Sequence, residues 1–346
     1  MLFTSLQVGL IALAIFVAIW KPSPQWVEQS FTNGYYPRWE HLSASMTQAL
    51  PFSLGDVIIV VAALAMLWRL IAAIRARSWR ALLTVLSIAA LLFVWFYAGW
   101  GWGYERAPLT SRVSFIPDAV HKPQIDALTD RAIAQVNRLA PAAHARQRDS
   151  LDRAALFSAW LPVVQRLGDS WTPTVGAPKP TVADAYMDAT GISGFIDPFS
   201  LEVQLGSDLL WFERPFDLAH EWTHVAAFNR EDEANYVAAL TCLRSSDPTI
   251  QYSGWLEVFL YLPGRRYKRS DFNTLVWRDF EAIRARNARR INVSLSRFQW
   301  RSYNRYLKSN HIAAGIENYN QVVQLFAGIP RDALGLPIAK AADTTR

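Results

Sequence analysis

His220, Glu221 and His224 are the residues whose types and spacing most plainly suggest chemistry. They read His-Glu-x-x-His. On a helix, residues four apart share a face, so both imidazoles can point at one metal ion. Glu221 then lies beside that ion, where its carboxylate can take a proton from a metal-activated water. Carboxylates follow closely in Arg230-Glu231-Asp232-Glu233-Ala234-Asn235. A catalytic zinc takes three protein ligands and keeps one position open, so an acid from outside the motif is needed as the third. Histidine and carboxylate donors suit Zn2+ best, although other transition metals bind such sets. The plainer alternative is a helix whose histidines are surface groups or satisfied core groups.

These residues need rigid elements to hold them. Pro215 suits a first helical turn, and Phe216 to Phe228 reads as the helix carrying the motif. Arg230 to Leu243 predicts the next helix, with Glu231 to Glu233 in its first turn, where the helix dipole favours acids. The short gap demands a sharp turn at Phe228-Asn229-Arg230. Upstream, Leu201, Val203 and Leu205 alternate with Glu202 and Gln204, which predicts a half-buried strand and a candidate edge for an extended peptide. Gly191 to Gly194 reads as a turn, Pro173 to Pro180 as a proline-rich connection, and Pro123 to Leu139 and Arg153 to Leu167 as helices. Past a break at Pro263-Gly264 the chain reads as helical and basic to about Phe326. Tyr252, in Gln251-Tyr252-Ser253-Gly254, is a candidate catalytic oxyanion donor, with an ordinary interface tyrosine as the other reading. The single cysteine, Cys242, excludes an internal disulfide framework and reads as a core residue.

The chain is 51% hydrophobic and 18% charged, and the apolar excess concentrates in the first hundred residues. Leu2 to Trp20, Asp56 to Ile74 and Ala81 to Trp102 are each long enough to span a bilayer. The third ends in the aromatic cluster Trp95, Phe96, Tyr97, Trp100, Trp102 and Tyr104, as interface belts do. The first lacks a basic start and a small-x-small cleavage site, so it reads as a permanent anchor. Arg69, Arg75, Arg77 and Arg80 flank the short second loop, which places that loop in the cytoplasm. The N-terminus is then cytoplasmic, residues 21 to 51 lie outside, and everything after about residue 103 is extracytoplasmic. The motif helix is bounded by Glu213, Arg214 and Asp217, then by Arg230 to Glu233, so it is too short and too charged at its ends to cross a membrane itself. The basic stretch from Arg265 to Arg305 reads as a solvated helix face against anionic headgroups, and no nucleic-acid partner is expected.

Beyond the metal motif, several pieces recur in order: Val27-Glu28, Asn33-Gly34-Tyr35-Tyr36-Pro37, Pro51-Phe52-Ser53-Leu54-Gly55-Asp56, and Trp102-Gly103-Tyr104-Glu105-Arg106. Gly194-Phe195, Pro198-Phe199, Tyr252-Ser253-Gly254 and Asn318-Tyr319 complete the set. With these the chain resembles the bacterial domain of unknown function 3810 family, membrane proteins bearing a zincin-like motif. The resemblance implies a membrane-embedded N-terminus and a zinc metallopeptidase domain; the residue pattern divides the chain into a transmembrane region of three helices over 1–103, a mainly α (α+β) zincin-like metallopeptidase domain over 104–330 and a flexible tail over 331–346. Glu231 to Asn235 further resembles the Glu-x-x-Ala-Asp helix of membrane-linked, gluzincin-like zinc peptidases. That likeness implies Glu231 as third metal ligand, with Glu233 as the alternative, and Asn235 as a support for a ligand histidine. Thr223 and Ala227 stand where the 3810 family commonly has alanine and glycine. The function implied is a membrane-anchored zinc metallopeptidase, acting on a peptide or protein substrate with Glu221 as general base. The competing class is a catalytically inactive, membrane-tethered zinc-binding or protein-interaction module, for which a retained Glu221 has no use.

Overall fold

The apolar N-terminal stretches fold as helices that stop where charge, proline or glycine interrupts them. In the computed structural model, residues 2–147, 151–168, 170–263, 267–309, 321–338 and 340 are described. Helix α1 (Leu2–Ile19) ends before Lys21-Pro22-Ser23-Pro24. Helix α2 is the single turn Pro24–Trp26, and Val27–Tyr35 continues as a π-helix into α3 (Tyr36–Thr47). Ser53 caps α4 (Leu54–Ala76) by accepting the Asp56 N–H, and Arg77 ends it in the left-handed region at φ 46. Helix α5 (Trp79–Gly99) follows at once, and both α1 and α4 pack along it. Among the described residues, α4 and α5 are each long and apolar enough to cross a membrane. A third span is reached only when α1 is counted with its continuation through residues 24–47, bent at 114°. The third sequence span was expected to reach Trp102, yet the helix stops at Gly99. Gly101 and Gly103 break it, and Gly101–Glu105 forms a 3-10 turn.

The segment between α1 and α4 is largely helical, and it packs against the rest of the chain. Arg106 clamps Glu28 with two bonds of 2.8 and 2.9 Å, and the Tyr36 hydroxyl donates to the Val225 carbonyl at 3.0 Å. In the π-helix a Cβ at Gly34 would stand 3.0 Å from the Gln29 carbonyl oxygen, so the wide turn favours glycine there.

The remaining elements are α6 (Leu109–Arg112), α7 (Lys122–Ala145), α8 (Arg153–Arg166), α9 (Asp184–Thr190), β1 (Gly194–Ile196), β2 (Val203–Leu205), α10 (Arg214–Val225), α11 (Glu231–Arg244), α12 (Pro248–Tyr261), α13 (Thr274–Arg290), α14 (Val293–Ser309) and α15 (Val322–Gly328). The fold is thus mainly helical, with one small antiparallel sheet in which Phe195 faces Gln204. The strand expected around 201–205 is present as β2. Its partner β1 begins at Gly194, where the sequence suggested the end of a turn. Helices α10 and α11 pack on each other and both pack on α8 and α12, so nearly all their residues are buried. The fully buried rings of Trp160 and Trp222 lie 5.9 Å apart between α8 and α10. Residues 331–338, expected as part of a flexible tail, instead fold back: Leu336 is buried and Ser114 donates to the Ile338 carbonyl at 3.0 Å. The expected Asn318-Tyr319 piece lies outside the described residues.

Candidate metal centre

Helix α10 brings His220, Glu221 and His224 to one buried face. Pro215 opens the helix, and the Phe216 N–H left free in its first turn donates to Ser253 Oγ at 3.1 Å. At its other end Ala227 takes φ 61, which reverses the chain within three residues of His224. That turn carries the Phe228 carbonyl back to His224 Nδ1 at 2.7 Å. With Nδ1 bonded as the donor, Nε2 is the nitrogen left to bind a metal. Helix α11 begins at Glu231, whose Oε2 lies 3.2 Å from His220 Nε2 and 3.7 Å from His224 Nε2. One ligand atom from each residue falls within 4.8 Å of the others. Donors about 2.0–2.1 Å from a tetrahedral zinc stand roughly 3.3 Å from one another, and the two distances from Glu231 lie close to that separation. A direct hydrogen bond accounts for the shorter contact only, because 3.7 Å is too long for one. Two imidazoles and a carboxylate, with room for a fourth group, also match the donor set of catalytic zinc sites.

Without a metal, burial and close charges set the protonation of the cluster. Burial pushes Glu221 up to about 8, with Glu231 and Asp217 adding repulsion and His224 alone opposing. Burial works against the charged form of His224, but Glu231 and Glu221 outweigh it and lift it to about 9. Burial lowers His220. Burial alone would raise Glu231, but its contacts with both histidines hold it well below the usual carboxylate range. Among the described residues, Glu221 Oε2 and His220 Nδ1 are buried with no hydrogen-bond partner. A native interior rarely leaves such atoms unserved.

The cluster opens into a cavity of about 400 Å³. Its walls include groups that sequence reasoning passed over. Gln299, Trp300, Tyr303 and Tyr306 reach in from α14, and the Tyr303 hydroxyl donates to Glu231 Oε1 at 2.5 Å. The signal was present: Trp300, Tyr303 and Tyr306 recur every three residues and so share one face of a basic helix. Asp217, raised to about 7 by burial and by Glu213, lines the cavity one turn before Glu221. Gly194 is required by close approach, since a Cβ there would stand 2.8 Å from Glu221 Oε1.

A family model described as "Protein of unknown function (DUF3810)" matches residues 31–327. The chain belongs to the DUF3810 family. No curated protein and no solved structure matches it.

The structure gives the DUF3810 pieces definite places. Glu231 joins the histidines and Glu233 does not. Glu233 is turned away, accepting the Leu109 N–H at 2.8 Å and pairing with Arg112 at 2.9 Å. Asn235 lines the cavity and favours the charged form of His220. Neither its Nδ2 nor His220 Nδ1 completes a hydrogen bond among the described residues. Tyr252 is outside the centre, because its hydroxyl donates to Asp279 in a separate buried cluster. Its neighbours explain the Tyr-Ser-Gly piece structurally. Ser253 serves the start of α10, and a Cβ at Gly254 would stand 2.4 Å from that of Cys242, so glycine lets α12 close on α11. Cys242 is accordingly a buried core residue. Thr223 donates to the Ala219 carbonyl at 2.7 Å and accepts Trp160 Nε1 at 3.0 Å.

Proposed function

We propose that this DUF3810 chain is a membrane-anchored, zinc-dependent peptidase. The observation that carries the reading is the convergence of His220 Nε2, His224 Nε2 and Glu231 Oε2 beside the unpartnered Glu221 Oε2 in one cavity. His220, His224 and Glu231 would hold the ion, which when bound supplies Lewis-acid polarisation and a more acidic water. Glu221 takes a proton from the attacking water as the water oxygen bonds to the peptide carbonyl carbon, then passes it to the nitrogen released when the C–N bond breaks. Any cation beside Glu221 acts as His224 already does, drawing the carboxylate down toward the range of a base near neutral pH. Tyr303 holds the second oxygen of Glu231 and so fixes which oxygen faces the histidines.

Strand β1 supports a peptide as substrate. Its bonds to β2 run through residues 193, 195 and 197, which leaves the backbone groups of Gly194 and Ile196 on the other edge. The sequence suggested residues 201–205 as the open edge. There, however, the Lys179 N–H donates to the Val203 carbonyl at 2.8 Å, and β2 is covered on both sides. Both free residues of β1 line the cavity, so an extended chain can pair there with its carbonyl next to Glu221. The arginines around the turn between α4 and α5 support a reading in which that end is cytoplasmic and the centre lies on the outer side. Glu221→Gln tests the reading: it keeps the metal and loses hydrolysis of a randomised peptide mixture. Equal hydrolysis by wild type and variant, or none by either, would leave the metal-binding module.

A further inference from the structure

The distance between the metal centre and the membrane-crossing helices is short along two separate paths. The first runs through α5. Gly99 is its last residue, Trp100 follows, and the Trp100 ring packs edge-on against His224 with centroids 5.7 Å apart. Phe96, Trp100 and Tyr104 all line the cavity, so the last turn of α5 forms part of its wall.

The second path runs through β1. Gly194 abuts Glu221, and five residues later Phe199 packs on Trp95 of α5 at 5.7 Å. Five residues extend to about 17 Å at most. The residues between are fastened to both spans. A Cβ on Gly99 would stand 3.4 Å from the Pro198 carbonyl, and one on Gly55, in the first turn of α4, would strike the Asp197 carboxylate at 2.2 Å. Glu202 accepts the Gly55 N–H at 3.0 Å and the Ser53 hydroxyl at 3.2 Å, capping the same end of α4. The centre is therefore bolted to the ends of two antiparallel spans on one side of the bilayer. The headgroup layer of one leaflet is only about 5–7 Å deep, so a group one side chain beyond a span end lies at or just above it. Trp20, Trp26 and Trp102 pack edge-on around the same level, with Trp20 and Trp102 5.1 Å apart, as a belt at that interface would.

We propose that the substrate is a polypeptide anchored in the same membrane, cut in the extended stretch next to its anchor. This rests on the peptidase reading. A peptide in bulk water must enter the headgroup layer to reach β1. An anchored chain already holds its first few residues beyond the bilayer at that depth, beside the aromatic wall of Phe96, Trp100 and Tyr306. Tethering also turns encounter into an effectively intramolecular event.

The test uses the full chain in liposomes of phosphatidylcholine and phosphatidylglycerol, with Glu221→Gln as background. The probe is a randomised peptide between fluorophore and quencher, in three forms: free, palmitoylated directly beside the random stretch, and palmitoylated through a flexible spacer of about twenty residues. The short-tethered form should be cut roughly tenfold or more faster than the free form, and at least as fast as the long-tethered one. Mass spectrometry should place the cut within about ten residues of the acyl group. Cleavage of the long-tethered form alone would put the centre well above the surface, and equal rates for free and tethered forms would mean recognition from solution. Either result overturns the proposal while leaving a peptidase. No cleavage of any form above background removes the peptidase reading, and the proposal with it.

Discussion

Among the described residues, two largely buried clusters combine histidine, carboxylate and tyrosine, and they differ in what they leave open. In one, His144 of α7, Tyr252 of α12 and Asp279 of α13 meet on a single carboxylate oxygen, with His144 Nε2 at 2.9 Å and the Tyr252 hydroxyl donating. Trp211 packs on both, 5.0 Å from the His144 ring and 6.2 Å from Tyr252. None of the three lines the large cavity. In the other, His220 and His224 face one oxygen of Glu231, Tyr303 holds the second, and Glu221 has a buried oxygen that nothing among the described residues serves. The same residue types make a three-helix fastening in one place and a candidate reaction centre in the other. A nearby cavity and an unserved carboxylate oxygen separate the two, and residue identity does not.

Four substitutions sharpen this contrast. The largest effect belongs to Glu221→Gln, which removes the base: hydrolysis falls by about a hundredfold or more in a peptide assay, while bound metal is unchanged. Tyr303→Phe comes next. Loss of its bond to Glu231 lowers zinc affinity roughly 10- to 100-fold, read by competition with a chromophoric chelator. Tyr252→Phe acts on the other cluster and gives the opposite profile. It leaves zinc affinity unchanged and costs about 1–3 kcal/mol of stability in denaturant unfolding, because Asp279 loses a buried donor. A drop in metal affinity there would merge the two clusters and break the comparison. The smallest effect is Ala227→Gly, at the left-handed turn that aims Phe228 at His224. It relieves a residue with a Cβ of an unfavourable conformation and stabilises by about 1 kcal/mol, seen as a higher melting temperature with metal binding retained.

The reach of the sequence follows the range of the interactions involved. Helix α10 and the shared placement of its two histidines were legible because the His-Glu-x-x-His spacing and Pro215 are local signals. Glu231 was legible through the likeness to the Glu-x-x-Ala-Asp helix, since its position in the first turn of α11 is shared by Asp232 and Glu233. Glu233 differs from it only in facing Arg112, 121 positions away in the chain, which no local pattern reports. Tyr252 misled for the same reason, since Asp279 and His144 come from other helices. The strand β2 showed its alternation, but β1 is three residues long and was hidden by the glycines around it. The α4 and α5 spans were visible as apolar runs. Their fastening to the candidate centre depends on Gly55, Gly99, Asp197 and Glu202 meeting across the fold.

The central claim is that His220, His224 and Glu231 form a metal site. The most direct test is metal content by mass spectrometry of the detergent-purified chain, wild type beside His220→Ala and Glu231→Ala. The account predicts about one zinc per wild-type chain, lost in both variants. No metal in the wild type even after zinc addition, or full retention in Glu231→Ala, would contradict it.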